Sequence, residues 1–95
     1  MTIVKESDYL RYDEPNIDKV PEVTGVYAFF SMGKTWLYVG SAGGGRLRDR
    51  IKEHWRAKQW PDVYYFRWFQ ADNEANAKRT ELDWIKTHNP KYNRS

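Results

Sequence analysis

Gly25-Val26-Tyr27 and Tyr38-Val39-Gly40 are mirrored triplets whose tyrosines lie eleven residues apart. Both sit in short stretches rich in β-branched and aromatic residues, about Gly25 to Ser31 and Thr35 to Gly40. That spacing predicts an antiparallel hairpin closed by a turn at Ser31 to Lys34, with Gly33 free to take a positive φ. In the expected register Tyr27 falls opposite Tyr38 and Gly25 opposite Gly40. Two phenols then stand side by side, flanked by glycines that leave the backbone open to a ligand.

Outward from the hairpin, Ser41-Ala42-Gly43-Gly44-Gly45 makes a glycine-rich turn into a helical pattern. From Arg46 to about Lys58, Leu47, Ile51 and Trp55 recur every fourth residue as one apolar stripe, and Trp60-Pro61-Asp62 ends the element. Val63 to Phe69 reads as a third strand. After a cap at Asp72 or Asn73 a second helix runs to about His88, where Asn89-Pro90 forbids continuation. Residues 1–20 read as an irregular or short helical acidic arm, and 21–95 as one domain. The expected fold class is α+β, a three-stranded antiparallel sheet flanked by helices, with Trp36, Trp55, Trp68 and Trp84 filling the core.

A chain of 95 residues without cysteine excludes a disulfide framework and thiolate metal sites. Its apolar runs are far too short to cross a membrane, and its N-terminus is unlike a signal peptide, so a soluble, intracellular (cytoplasmic) protein is expected. The net charge of +3 divides unevenly: residues 1 to 22 carry three basic and six acidic groups, leaving +6 for the remainder. Arg46, Arg48, Arg50, Lys52, Arg56 and Lys58 concentrate positive charge in one helix, a stripe suited to a polyanion such as DNA or RNA or, equally, a solvated helix face.

Helical spacing places chemistry on this scaffold. Arg46, Arg50 and His54 are four apart and form a polar row beside the apolar stripe. On the second helix, Glu81 shares a face with Ala77, Trp84 and Ile85, which turns its carboxylate inward. Such a glutamate needs a partner, either an arginine or a cation at the rim of a cleft. Trp60 and Tyr64, near the basic helix, are candidates to stack on unpaired bases.

In their order along the chain these residues resemble the GIY-YIG nucleases. Gly25-Val26-Tyr27 is similar to the first family triplet and Tyr38-Val39-Gly40 to the second, with valine for isoleucine in both. Leu47-x-x-Arg50-x-x-x-His54 resembles the helix bearing the family's essential arginine, Glu81-Leu82-Asp83-Trp84-Ile85-Lys86 the segment with its metal-binding glutamate, and Pro90-Lys91-Tyr92-Asn93 its terminal asparagine stretch. The likeness covers about residues 21 to 95. The glycine turn adds about two residues to the commoner family spacing, so that counting from Gly40 favours Arg48 whereas helix phase favours Arg50. Helix phase decides which side chains face a site, and Arg50 is taken.

The resemblance implies metal-dependent hydrolysis of phosphodiester bonds in DNA, whether single-stranded, branched or duplex, with one Mg²⁺ or Mn²⁺ held by Glu81. It implies Tyr27 as general base, Arg50 as phosphate clamp, Tyr38 and His54 as donors to phosphate or orienters of water, and Asn93 as a brace. Arg46, Arg48, Lys52, Arg56, Lys58 and Trp60 are the expected nucleic-acid contacts. Two alternatives stand beside this reading: a non-catalytic nucleic-acid-binding module of the same fold, and a catalytic subunit that takes its specificity from a protein partner.

Overall fold

The computed structural model describes residues 3–93. Its centre is the antiparallel pairing of strand β3 (Gly25–Phe30) with β4 (Trp36–Ala42) on one side and β5 (Tyr65–Ala71) on the other. Side chains of β3 alternate strictly. Tyr27 and Phe29 enter one core cluster, and Val26, Ala28 and Phe30 enter the other. Every residue of this strand is buried, as the central strand of a sheet covered on both faces must be.

Among the described residues the sheet has five strands, two more than expected. Strands β1 (Ile3–Glu6) and β2 (Leu10–Arg11) both pair with β5, giving the order β1-β5-β3-β4 with β2 beside β1 on the same edge. The arm expected to be irregular or helical therefore completes the sheet. Its helical part is one turn, α1 (Glu14–Ile17), which Asp13 caps by accepting from the Asn16 N–H. The sequence IVKE carries one inward apolar residue, too weak a pattern to announce a strand, and it pairs because β5 offers it an open edge.

Helix α2 (Leu47–Ala57) lies on the Tyr27 face, burying Leu47 and Ile51 against Ile17, Val20, Phe29 and Phe66. Helix α3 (Glu74–His88) lies on the opposite face, where Ala77 is buried and Trp84 and Ile85 pack against Phe69 and Val39. Asn73 caps α3 through the Asn76 N–H, and Asn89 ends it in the left-handed conformation before Pro90. The four tryptophans expected to fill the core only pack partly buried against it, and the fully buried aromatics are Tyr27, Phe29, Phe30 and Phe66.

The hairpin register differs from the expected one. Tyr27 lies opposite Gly40, Phe29 opposite Tyr38 and Gly25 opposite Ala42. The ladder is irregular between Phe29 and Phe30, where Leu37 is the extra residue, since Phe30 pairs with Trp36. Leu37 and Tyr38 consequently both pack on the α2 face, and the two phenols meet diagonally at a ring distance of 6.2 Å. The positive φ of the turn falls on Lys34 rather than Gly33.

Candidate active site

The site lies where α2 and α3 approach β4, the edge strand. Tyr27 is fully buried, and a glycine must stand opposite it: a methyl at Gly40 would come within 2.9 Å of its Cε2 and closer still to Cζ and Oη. The Tyr27 hydroxyl reaches His54 Nε2 at 3.0 Å. On the far side of that ring, Nδ1 lies 3.0 Å from Gln59 Oε1, an acceptor only, so Nδ1 carries the hydrogen and Nε2 is left to accept from Tyr27. Burial lowers the His54 pKa below its ordinary 6.5, outweighing the Gln59 hydrogen bond, which pulls it the other way.

Burial likewise pushes the Tyr27 phenol well above its ordinary range, and the charges of Tyr38 and Glu81 push the same way. The Arg50 guanidinium opposes them, by charge and by hydrogen bonding. Tyr38 is raised by burial first and by Glu81 second, and lowered by Arg50 and Lys78. A phenolate here needs positive charge beyond what the protein holds.

Glu81 is the buried charged residue of the core, as its helical phase predicted. It has no arginine partner among the described residues. Its Oε1 accepts from Ser41 Oγ at 2.6 Å and from Lys78 Nζ at 3.0 Å. Among the described residues, no three histidine, cysteine or acidic side chains gather around one point. One buried carboxylate beside a hydroxyl suits a hard cation that keeps its waters and shares a phosphate, as Mg²⁺ does, rather than an all-protein cage.

Arg50 lines a cleft of about 300 Å³ together with Ser41, Gly43, Gly44, Arg46 and Glu74. Arg48 faces elsewhere: its Nε donates to the Val20 carbonyl at 2.6 Å and its Nη1 to Glu22 at 2.8 Å. Lys52 pairs with Asp18 and, at 3.6 Å, with Glu14. Arg46 pairs with Glu53 at 2.7 Å. Three of the basic residues expected on a nucleic-acid surface are thus paired to carboxylates, Lys52 to those of the acidic arm. Arg56 lines the same ion-paired groove as Arg48 and Lys52, and Lys58 caps α2.

Asn93 clasps β4, its Oδ1 accepting from the Val39 N–H at 2.8 Å and its Nδ2 donating to the Val39 carbonyl at 3.0 Å. The Tyr92 hydroxyl donates to Asp62 at 2.6 Å, anchoring the short 3-10 turn Lys91–Asn93. Trp60 stacks on Tyr92 at 4.9 Å and on His54 at 5.4 Å and tilts against Tyr38 at 4.7 Å, whereas Tyr64 lies under the Arg11 guanidinium at 4.5 Å. Sequence reasoning missed Ser41, Lys78 and Gln59. Only the i, i+3 spacing of Lys78 and Glu81 was a legible signal.

The model of the UvrC-like GIY-YIG domain matches residues 23–94. UvrABC system protein C of a Hydrogenobaculum species is 36% identical over 83 residues, covering 81% of this chain and 14% of that protein. The protein of the same description from Moorella thermoacetica is 32% identical over 87 residues, covering 84% and 14%. The chain therefore spans about a seventh of the curated relatives it matches. The magnesium-bound crystal structure of the GIY-YIG N-terminal endonuclease domain of UvrC from Thermotoga maritima superposes with a TM-score of 0.72 at 29% identity, covering 84% of this chain and 93% of that one. A point mutant of that domain, bound to its catalytic divalent cation, gives 0.73 at 27% identity, covering 85% and 93%.

Proposed function

The chain belongs to the UvrC-like GIY-YIG family, and from that premise we propose that it is a divalent-cation-dependent endonuclease acting on DNA. The observation that carries the reading is the Tyr27 hydroxyl aimed at the bare nitrogen of His54, with Arg50 and Glu81 beside it. Glu81 and Ser41 would hold the cation, which when bound supplies the positive charge that the phenolate and the leaving oxygen both need. Tyr27 takes a proton from the attacking water while its own proton passes to His54 Nε2. The water oxygen bonds to phosphorus as the bond from phosphorus to the leaving oxygen breaks. Arg50 holds the scissile phosphate and offsets the charge gathering on its oxygens. Tyr38 donates to the phosphate, and Asn93 keeps its strand in place.

The role falls to Arg50 and not to Arg48, a reading supported by the bonds of Arg48 to Val20 and Glu22. Residues 21–95 act as the catalytic domain and the arm 1–20 as its cover; Glu14 and Asp18 of the arm neutralise Lys52 as Glu22 does Arg48, so that DNA meets the Arg50 side. The choice of cutting site comes from outside these 95 residues, a reading supported by the small share of their relatives that they cover.

The test is cleavage of single-stranded, duplex, nicked and branched DNA, and of RNA, with Mg²⁺ or EDTA. Wild type and Arg48→Ala should cut DNA with Mg²⁺, while Glu81→Ala and Arg50→Ala should lose at least a hundredfold, the scale of removing one electrostatic stabiliser. A wild type that cuts nothing with Mg²⁺ or Mn²⁺, or a Glu81→Ala variant of full activity, leaves the non-catalytic binding module as the better reading.

A further inference from the structure

Beyond the end of α2 lies an apolar groove of about 300 Å³ lined by Tyr12, Trp55, Lys58, Trp60 and Pro61. That is the small end of ligand-site volumes, which start at ~300 Å³. Its walls are preformed. Trp60 is pinned by its stacks on Tyr92 and His54, and Tyr12 packs on Phe29 at 5.0 Å, so little ordering cost attends a guest. Trp60 is shared between groove and site, one ring touching His54 and Tyr38 while lining the groove.

The charge pattern points to the kind of guest. The described basic residues Arg46, Arg48 and Lys52 are held by carboxylates. Lys58, on the groove rim, is exposed and forms no ion pair among the described residues. It also continues the row Arg46, Arg50, His54 at four-residue spacing, its N–H still bonded to the His54 carbonyl at 3.1 Å. Eight residues of helix set Lys58 about 12 Å beyond Arg50 along the axis. At the ~3.4 Å per nucleotide of a stacked strand, and more where the strand is extended, that is at most about four nucleotides from the phosphate at Arg50. A base in a duplex has both faces covered by its neighbours, whereas an unpaired base offers an apolar face to aromatic walls and a phosphate to the lysine.

We propose that this groove binds an unpaired nucleobase of the substrate strand, within about four nucleotides of the scissile phosphate, with Lys58 on the adjoining phosphate. The proposal rests on the nuclease reading for its register along the strand, but it can fail or hold separately. Dissociation constants measured in EDTA, where no cutting occurs, compare a labelled single-stranded oligonucleotide with its duplex. Trp55→Leu keeps apolar bulk and removes the stacking face. It should weaken single-strand binding roughly tenfold or more, as loss of one base stack does, and leave duplex binding within about twofold. Lys58→Gln, a surface change that spares the fold, should weaken single-strand binding a few-fold and flatten its salt dependence by about one phosphate contact. Single-strand binding unchanged in Lys58→Gln, or equal losses on single strand and duplex in either variant, overturns the proposal. A single-strand preference that depends on both residues in a protein that never cuts DNA would uphold the groove and sink the nuclease reading. Cutting without that preference would do the reverse.

Discussion

Gly40→Ala tests the observed register and the role of Tyr27 together. The added methyl would lie 2.9 Å from Tyr27 Cε2 and nearer still to Cζ and Oη, where ordinary contact begins at 3.4 Å. The end of the ring must therefore retreat by about 1 Å, against a close-packed surround that includes Phe29 at 5.4 Å and Tyr38 at 6.2 Å. Such a shift carries Oη out of the 3.0 Å hydrogen bond to His54 Nε2. Overpacking costs ~1–3 kcal/mol, and an unmet buried hydroxyl ~1–3 kcal/mol. Replacing a strand glycine whose φ is not positive returns ~0.4–1 kcal/mol through the unfolded chain. The net loss is ~1–6 kcal/mol, and each kcal/mol lowers the melting temperature by roughly 4–8 °C for a domain of this size. In cleavage kinetics a catalytic group displaced by about 1 Å costs ~10²-fold. The measurement is kcat/KM at a temperature where circular dichroism shows the variant folded, repeated in a Tyr27→Phe background. If the loss runs through Tyr27, Gly40→Ala adds nothing further to Tyr27→Phe. A Gly40→Ala enzyme within twofold of wild type, or an undiminished loss in the double variant, would refute the reasoning. Gly25→Ala is the control: its methyl would meet main chain, 3.1 Å from the Phe69 carbonyl carbon and 3.2 Å from Gln70 Cα, so the β3–β5 ladder must open and the fold itself should fail.

Lys78 already occupies one oxygen of Glu81. Lys78→Met should tighten Mn²⁺ binding about two- to fivefold, the scale of a solvent-exposed ion pair, and calorimetry without DNA that finds equal or weaker affinity would count against a cation at Glu81. His54 has a folded pKa below its ordinary 6.5. The unfolded chain therefore takes up the proton first as pH falls, so the stability from neutral His54 is whole above 6.5 and drains away as pH drops towards the folded value. Urea denaturation from pH 8 to pH 5 should show this loss in wild type and not in His54→Gln, with an acid fall in cleavage rate over the same window; parallel curves would exclude it. Asn93→Ala removes both bonds to Val39 and should cost ~1–2 kcal/mol, with Asn93→Asp falling between because it keeps the acceptor and loses the donor. Equal urea midpoints for all three proteins would mean that water replaces the clasp.

Local chemistry made much of this protein readable. The Leu47 and Ile51 stripe, the Asn73 cap and the Asn89-Pro90 stop depend on neighbours three or four residues away, and the two long helices appear where those signals put them. The same phase put Arg50 and His54 on one row and turned Glu81 inward. The hairpin register was not readable, because one extra residue at Leu37 shifts the pairing and no sequence mark distinguishes it from the neighbouring positions. Nor were the arm strands, whose few apolar residues acquire partners only once β5 presents its edge.

By itself the sequence determined the two long helices, the two tyrosine-bearing strands and the family likeness, since each is written in short-range periodicity or in motif order. Tertiary structure alone decided that Tyr27 faces Gly40 rather than Tyr38, that its proton points at His54, that Glu81 is met by Ser41, and that Glu14, Asp18 and Glu22 neutralise one side of α2. These join residues 13 to 40 positions apart, and pairings at such range are chosen by which packing buries the apolar faces and satisfies the buried polar atoms together, a condition that no local stretch of chain contains.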